Sequence, residues 1–322
     1  MRKWLAWLGA TISFLILLLV FSRVNLKEVV GNVRRLGWGH WLIGSMVYLT
    51  SFFPRGLRWK LMLPESRRLS TGWITKSVVI GYAANNLLPF RLGEVVRSYI
   101  VGHRFHLPKL TCLATIGAEK VLDGCCLLGM LAASLPFVTI QSNSTGNFNR
   151  MFLLAAALFG GAIISCFALA FWDRQLVPLA ERRLPRPAAR TIRAGINALT
   201  IFKQGKTFFA VMCLTILVWL LEAACFIYFL RQMGIEGAWS KGVFCLAIVN
   251  FSILVPSAPG YVGVFQAGTV AAFIAMGQDI STGLAFGVAT HAAQFIPTTL
   301  IGVALASMMG LNWRQLYQLK NE

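Results

Sequence analysis

Charge is what this sequence has least of. Only 13% of its 322 residues are charged and 57% are hydrophobic, whereas an ordinary soluble domain has about 25% charged and about 45–50% apolar residues. A water-soluble globule has nowhere to put that much apolar surface, so a soluble enzyme or binding module is excluded. Acidic residues are the scarcest, 11 Asp and Glu against 30 Lys and Arg, for a formal charge of +19. In a soluble protein that excess would suggest nucleic acid. Here the basic residues fall between apolar runs, where the positive-inside rule puts them, and no nucleic acid is expected as a partner. Polar cysteine segments are missing too, since Cys112, Cys125, Cys126, Cys166, Cys213, Cys225 and Cys245 all sit inside apolar stretches. Neither a disulfide framework nor a CxxC metal site is indicated. No P-loop, GxSxG, HExxH or dinucleotide fingerprint occurs in context, so no cofactor is implied. His103 and His106 have metal-like spacing without an acidic or cysteine partner nearby, and no metal is assigned.

What the chain does have is long apolar runs. A membrane helix needs about 20 mostly apolar residues, and six segments reach that length: 4–22, 41–63, 110–138, 151–172, 207–230 and 282–310. The first follows Met-Arg-Lys as a signal peptide would, but it is long enough to span and precedes no small-x-small cleavage site, so it reads as an uncleaved helix. Two further stretches are interrupted. Residues 77–101 contain Asn85, Asn86, Pro89, Arg91, Gly93, Glu94 and Arg97, and 241–276 is broken by Val255, Pro256, Ser257, Ala258, Pro259 and Gly260. Broken helices are tolerated at membrane depth only when buried in protein or lining a wet cavity, so both are expected as re-entrant hairpins. Trp4, Trp7, Trp41, Trp59, Trp73, Trp172 and Trp313 near the span ends read as an interfacial belt.

Loop charges orient the spans. Residues 64–76, 102–109 and 173–206 are basic, the last with eight basic against two acidic residues, whereas 141–149 carries no charge. The first three are expected in the cytoplasm and the last outside. An inside N-terminus reproduces this pattern only if both broken stretches return to the side they came from. Residues 23–39, basic yet outside, are accounted for only as a surface amphipathic helix. The assignment exposes an internal repeat of span, span, hairpin, span, with Pro89-x-x-x-Gly93 recurring as Pro259-x-x-x-Gly263. Three full spans per half gives the halves opposite orientation, and inverted repeats with matching breaks point to a transport site near the midplane. The expected fold is thus an all-α polytopic membrane protein with six full spans and two re-entrant hairpins in two inverted-topology repeats. Its parts are 1–140, an outer loop 141–150, 151–310 with the basic cytoplasmic loop 173–206, and a cytoplasmic tail 311–322. The location expected is a cytoplasmic-type inner membrane with both termini inside.

The polar chemistry is concentrated. Around Pro89, freed backbone groups and the permissive Gly93 can face a ligand, with Asn85, Asn86 and Glu94 alongside. Arg91 and Arg97 suit bidentate contact with a phosphate or other anionic headgroup; the alternative is that they snorkel to the interface while Glu94 neutralises one of them. Glu119 and Asp123 share a face of the third full span, roughly 14–20 Å deep at 1.5 Å per residue. They are candidates for a substrate path, or else for structural pairing with Lys120 or an arginine. Glu222 is the third deep carboxylate. A repeat offset of 167 residues carries it onto Arg55, with Arg58 one turn further, so an ion pair is expected there. Pro256, Pro259, Gly260 and Gly263 form the second break, a candidate gate. His291 shares a face with Gln294 and reads as a packing residue rather than a proton carrier.

These residues also resemble a known family. Asn86 to Arg97 (Asn-Leu-Leu-Pro-Phe-Arg-Leu-Gly-Glu-Val-Val-Arg), Glu119-Lys-Val-Leu-Asp123, Pro259-Gly-Tyr-Val-Gly-Val-Phe265 and the pair Arg58-Trp59 are similar to the lysylphosphatidylglycerol synthase transmembrane, or flippase-like, family. The similarity covers nearly the whole chain and specifies a family better than a substrate. It departs from the usual pattern at Gln266, where an acidic residue often stands. The resemblance implies a unit that flips a modified phospholipid; with the chain ending at Glu322, it implies a stand-alone member without the aminoacyltransferase domain.

The function expected is therefore a lipid flippase-like transporter. Arg91 and Arg97 would hold an anionic or modified headgroup, the four carboxylates would line its path, and the two hairpins would open to opposite sides. The rivals are a membrane glycosyltransferase using a polyprenyl-phosphate donor and an accessory subunit working beside an envelope-lipid biosynthetic enzyme. Such transferases place acidic residues in the first outer loop, where this chain offers only Glu28.

Overall fold

The structure, a computed structural model, describes residues 11, 13, 15, 18, 22, 24–64, 66–88, 92–255 and 257–311, without the side chains of 142–149 and 151–152. The first expected span, 4–22, lies almost wholly outside the described residues, as do Pro89, Arg91, Pro256 and, apart from Leu311, the tail 311–322.

Among the described residues the fold is all helical. The α-helices are α1 (Leu26–Arg35), α2 (Gly37–Thr50), α3 (Phe52–Met62), α4 (Thr71–Leu87), α5 (Gly93–Phe105), α6 (Lys109–Ser134) and α7 (Ser142–Phe171), followed by α8 (Asp173–Arg183), α9 (Arg186–Ala198), α10 (Gly205–Gln232), α11 (Ala238–Ser252), α12 (Val264–Ala275) and α13 (Ile280–Met308). Side-chain caps start several of them: Asn25 accepts from the Lys27 amide and Asp279 from the Thr282 amide, each satisfying a helix N–H that has no partner within the helix. Among the described residues, four helices are long and apolar enough to cross a membrane: Lys109–Phe137, Leu153–Phe171, Gly205–Gln232 and Ile280–Met308. Their outward faces carry exposed Leu153, Leu154, Leu158, Ile164, Phe209 and Leu300, the inside-out pattern of a protein solvated by lipid. This is a membrane protein built of helices.

Three expectations need correcting. Residues 41–63, read as one span, are two helices that break at Ser51. Pro54 has no N–H to offer the Thr50 carbonyl, so the ladder is interrupted there. The outer loop 141–150 is instead the opening of α7; it holds Ser, Thr and Asn, which cost only a few tenths of a kcal/mol each in a helix, and no proline. The basic loop 173–206 is mostly the helices α8 and α9 followed by the 3-10 turn Leu199–Lys203. Helix α9 buries Ala189, Ile196 and Ala198 and packs on α6, while Arg186, Arg190 and Arg193 stay exposed. Lys203 Nζ lies 2.6 Å from Asp173 Oδ1, and this hydrogen bond lowers the Asp173 carboxyl below its usual range. Residues 23–39 do contain an amphipathic surface helix: α1 buries Val29, exposes Arg34 and Arg35, and packs on α13.

Both interrupted stretches are helix hairpins. In the first, α4 and α5 pack together and cross closely at Gly81 and Gly93; any Cβ on Gly93 would overlap the Gly81 carbonyl oxygen. In the second, α11 packs on α12. The helix contacts are paired across the chain. In the first half α3 meets α4, α4 meets α5 and α5 meets α6; in the second α10 meets α11, α11 meets α12 and α12 meets α13. Between the halves, α4 lies on α13, α6 on α11 and α3 on α10.

Candidate functional site

Where these helices meet, the interior is charged. Arg58, on α3, has no exposed surface. Its guanidinium donates to both oxygens of Asp123 (2.6 and 3.2 Å), to Glu119 Oε1 (2.8 Å) and to Thr215 Oγ1 (3.1 Å). Arg97, on α5, donates to the other Glu119 oxygen at 2.7 Å and lies 4.5 Å over the Trp59 ring. Arg55, one turn before Arg58, donates to Glu222 on α10 and to the Tyr82 hydroxyl. Trp219 Nε1 donates to Asp123 at 2.9 Å. Three guanidinium groups therefore face three carboxylates, Glu119, Asp123 and Glu222, on helices from both halves of the chain. The planar arginine fork makes this possible: Arg58 bridges two carboxylates and Asp123 is held bidentately. Removing one partner from such a buried network costs about 3–5 kcal/mol, because the charge left behind is uncompensated.

A cavity of about 340 Å³ opens beside this network, within the roughly 300–1,000 Å³ of small-molecule sites. Its lining mixes polar residues, Arg55, Tyr82, Glu94, Lys120, Asp123 and Glu222, with apolar ones, Leu127, Phe159, Val249, Phe251, Ile253 and Leu254. Lys120 is on the exposed side of α6, its Nζ 5.9 Å from the centre of the Tyr82 ring. It forms no ion pair among the described residues. Its helix starts at Lys109, which puts it roughly 17 Å along the axis, near the middle of a ~30 Å hydrocarbon core.

The two hairpin breaks meet at this cavity. Asn85 Oδ1 accepts from the Gly93 amide at 2.7 Å and its Nδ2 reaches Glu94 at 3.4 Å, tying the first break shut on itself. Asn86 donates to Thr299 Oγ1 at 2.8 Å, anchoring that break to α13. In the second break, the 3-10 turn Pro259–Tyr261 packs on α4. Gly260 has a φ of 69°, and a Cβ there would run into the Phe295 ring and approach the Asn86 carbonyl oxygen, so only glycine fits. His291 Nε2 must donate to the Gly260 carbonyl (2.8 Å), which can only accept; its Nδ1 then takes a bond from the Gln266 amide (3.0 Å). Gln266 Oε1 accepts in turn from the Gly263 amide at 2.9 Å.

The residues singled out in the sequence thus separate. Arg55, Asn85, Asn86, Glu94, Asp123 and Glu222 line the cavity, whereas Arg58, Arg97 and Glu119 lie behind its wall. Arg97, expected at the headgroup, is 3% exposed and engaged with Glu119; the i, i+22 pairing across two helices turns its guanidinium away. Pro259, Gly260 and Gly263 shape the second break, with Tyr261 the nearest of that turn to the cavity. Arg55 meets Glu222, the pairing the repeat offset of 167 designates. Lys120, Tyr82 and Trp219 were not singled out for the cavity. The only signal for Trp219 is its place one turn before Glu222.

Comparison with known proteins places this arrangement. The chain is 23% identical to the protein named glycosyltransferase AglD of Haloferax volcanii, over 94% of its own length and 54% of that relative's. It therefore spans about half of the relative. No solved structure gives a significant match. The model of the lysylphosphatidylglycerol synthase TM region matches residues 6–302, well over half of the chain, and the chain belongs to that family.

Proposed function

We propose that this protein is a lipid transporter of flippase type, moving an anionic or modified phospholipid or lipid-linked headgroup across the inner membrane. The observation that carries the reading is the cavity lined by charged and apolar side chains together, with Lys120 near the middle of its long helix, which suits an amphiphile better than a water-soluble solute. The paired contacts of the two halves and the meeting of the two breaks support six spans and two re-entrant hairpins in inverted repeats. Rocking of one half against the other would then expose the cavity to each side in turn. Cytoplasmic termini and a cytoplasmic 173–206 segment complete this reading, on loop charge. Arg91 belongs to it as a headgroup ligand on sequence grounds, while Arg58 and Arg97 fix Glu119 and Asp123 in place.

The test is a headgroup-resolved flipping assay in proteoliposomes. Protein-dependent movement of at least one lipid class supports the proposal, and movement of none, from folded protein, overturns it. The second reading, a polyprenyl-phosphate-dependent membrane glycosyltransferase, is favoured by the likeness to the protein named glycosyltransferase AglD. Turnover of a sugar donor by the purified chain would select it.

A further inference from the structure

Among the described residues, three of the four cations in and around the cavity are already answered. Arg55, Arg58 and Arg97 are held by Glu222, Asp123 and Glu119, three charges against three, so that network is neutral overall. Two charged groups on the cavity wall are left over. Lys120 has no ion pair among the described residues, and Glu94 has one long hydrogen bond, 3.4 Å to Asn85, with its second carboxylate oxygen unpartnered. They face the same cavity, on α5 and α6, and attract each other without forming an ion pair.

We propose that the cavity selects a headgroup carrying one phosphate and one ammonium group, of net charge zero, with the phosphate at Lys120 and the ammonium at Glu94. This rests on the lipid-transport reading and narrows its headgroup from anionic or modified to zwitterionic. A purely anionic headgroup would satisfy Lys120 and bring like charge to Glu94; a purely cationic one would do the reverse. Only a zwitterion leaves neither group uncompensated, and in a partly dry cavity an unmatched charge dominates selectivity. The apolar lining residues Phe159, Phe251 and Leu254 suit the start of an acyl chain, which points to a lipid over a free phospho-amine. A lysyl-phosphatidylglycerol headgroup, with two ammonium groups to one phosphate, leaves one cation unmatched and is the poorer fit.

The test is equilibrium binding to the full chain in detergent, read by tryptophan fluorescence, with four probes: dihexanoyl phosphatidylethanolamine, dihexanoyl phosphatidylglycerol, dihexanoyl lysyl-phosphatidylglycerol and free glycerophosphoethanolamine. Phosphatidylethanolamine is expected to bind tightest, by roughly tenfold over the other two lipids. Glu94→Gln should transfer the advantage to phosphatidylglycerol, and Lys120→Gln to the lysyl lipid, while Lys120→Arg keeps the wild-type ranking. Equal wild-type affinities for phosphatidylethanolamine and phosphatidylglycerol, or rankings that neither glutamine variant moves, would overturn the proposal. Glycerophosphoethanolamine binding as tightly as the lipid would overturn the lipid assignment. Should a glutamine variant fail to fold, the wild-type ranking alone decides. Zwitterion-selective binding without flipping in proteoliposomes sinks the transport reading only; flipping without headgroup preference sinks this one only.

Discussion

Removing one charge from the Arg55–Glu222 pair is the perturbation whose outcome the geometry constrains most tightly. The two side chains are 2% and 7% exposed, and Arg55 is further held by the Tyr82 hydroxyl and by the rings of Tyr82 and Trp219, 5.1 and 5.6 Å away. Glu222→Gln keeps the shape of the side chain but strands the guanidinium. Breaking a buried pair costs about 3–5 kcal/mol; because Arg55 and Glu222 border the cavity, the lower end, about 3 kcal/mol, is expected. At roughly 2–4 °C per kcal/mol for a large domain, Tm should fall by about 6–12 °C. Arg55→Met strands the carboxylate instead and should do much the same. The double variant Arg55→Met/Glu222→Leu removes both charges and should recover most of the loss, and the charge-swapped pair some of it. The assay is thermal unfolding in detergent by intrinsic fluorescence, with size-exclusion chromatography for folded yield. A coupling energy no larger than the roughly 0.6 kcal/mol average of intramembrane hydrogen bonds would refute the reasoning, as would Glu222→Gln with the wild-type Tm.

Other outcomes follow from the same structure. Gly93→Ala should collapse folded yield, since the new methyl overlaps the Gly81 carbonyl, whereas Gly160→Ala, with open space around it, should leave Tm within about 1 °C; equal behaviour of the two would contradict the close crossing of α4 and α5. In a Cys-less background, Arg190→Cys should label only from the cytoplasmic side and Trp239→Cys only from outside, both positions being exposed; outside labelling at 190 would sink the orientation. Arg91→Lys should slow flipping at equal membrane abundance, because lysine lacks the planar fork; wild-type rates would favour interfacial snorkelling.

Much of the framework was legible because proline and glycine announce their effects locally. Pro259 and Gly260 fall in the second break and Gly93 closes the first, and the Arg55–Glu222 pair follows from an offset between two similar halves. Polar helices were not legible. Hydropathy sees apolar runs, so the start of α7 and the pair α8 and α9 read as loops, and Pro178 inside α8 adds a local signal against a helix that the fold overrides. The orientation of α6 was the other blind spot. Glu119 and Asp123 share a face at i, i+4, but Lys120 sits about 100° round the helix from Glu119. Which of those faces meets arginines and which meets the cavity is decided by α3, α5 and α10, far away in sequence. Arg97 looked like a headgroup ligand for the same reason: its true partner, Glu119, belongs to the next helix.

The central claim is that the cavity between the two halves is the route a lipid headgroup takes, and a fluorescent-lipid flipping assay tests it most directly when run on two proteins side by side. One is the wild type; the other is Asn250→Trp, which fills the cavity from α11, where Asn250 lines it, without replacing any member of the charged network. Protein-dependent flipping by the wild type, reduced to the protein-free liposome rate by Asn250→Trp at equal folded yield, is the predicted result. Asn250→Trp flipping at the wild-type rate would contradict it.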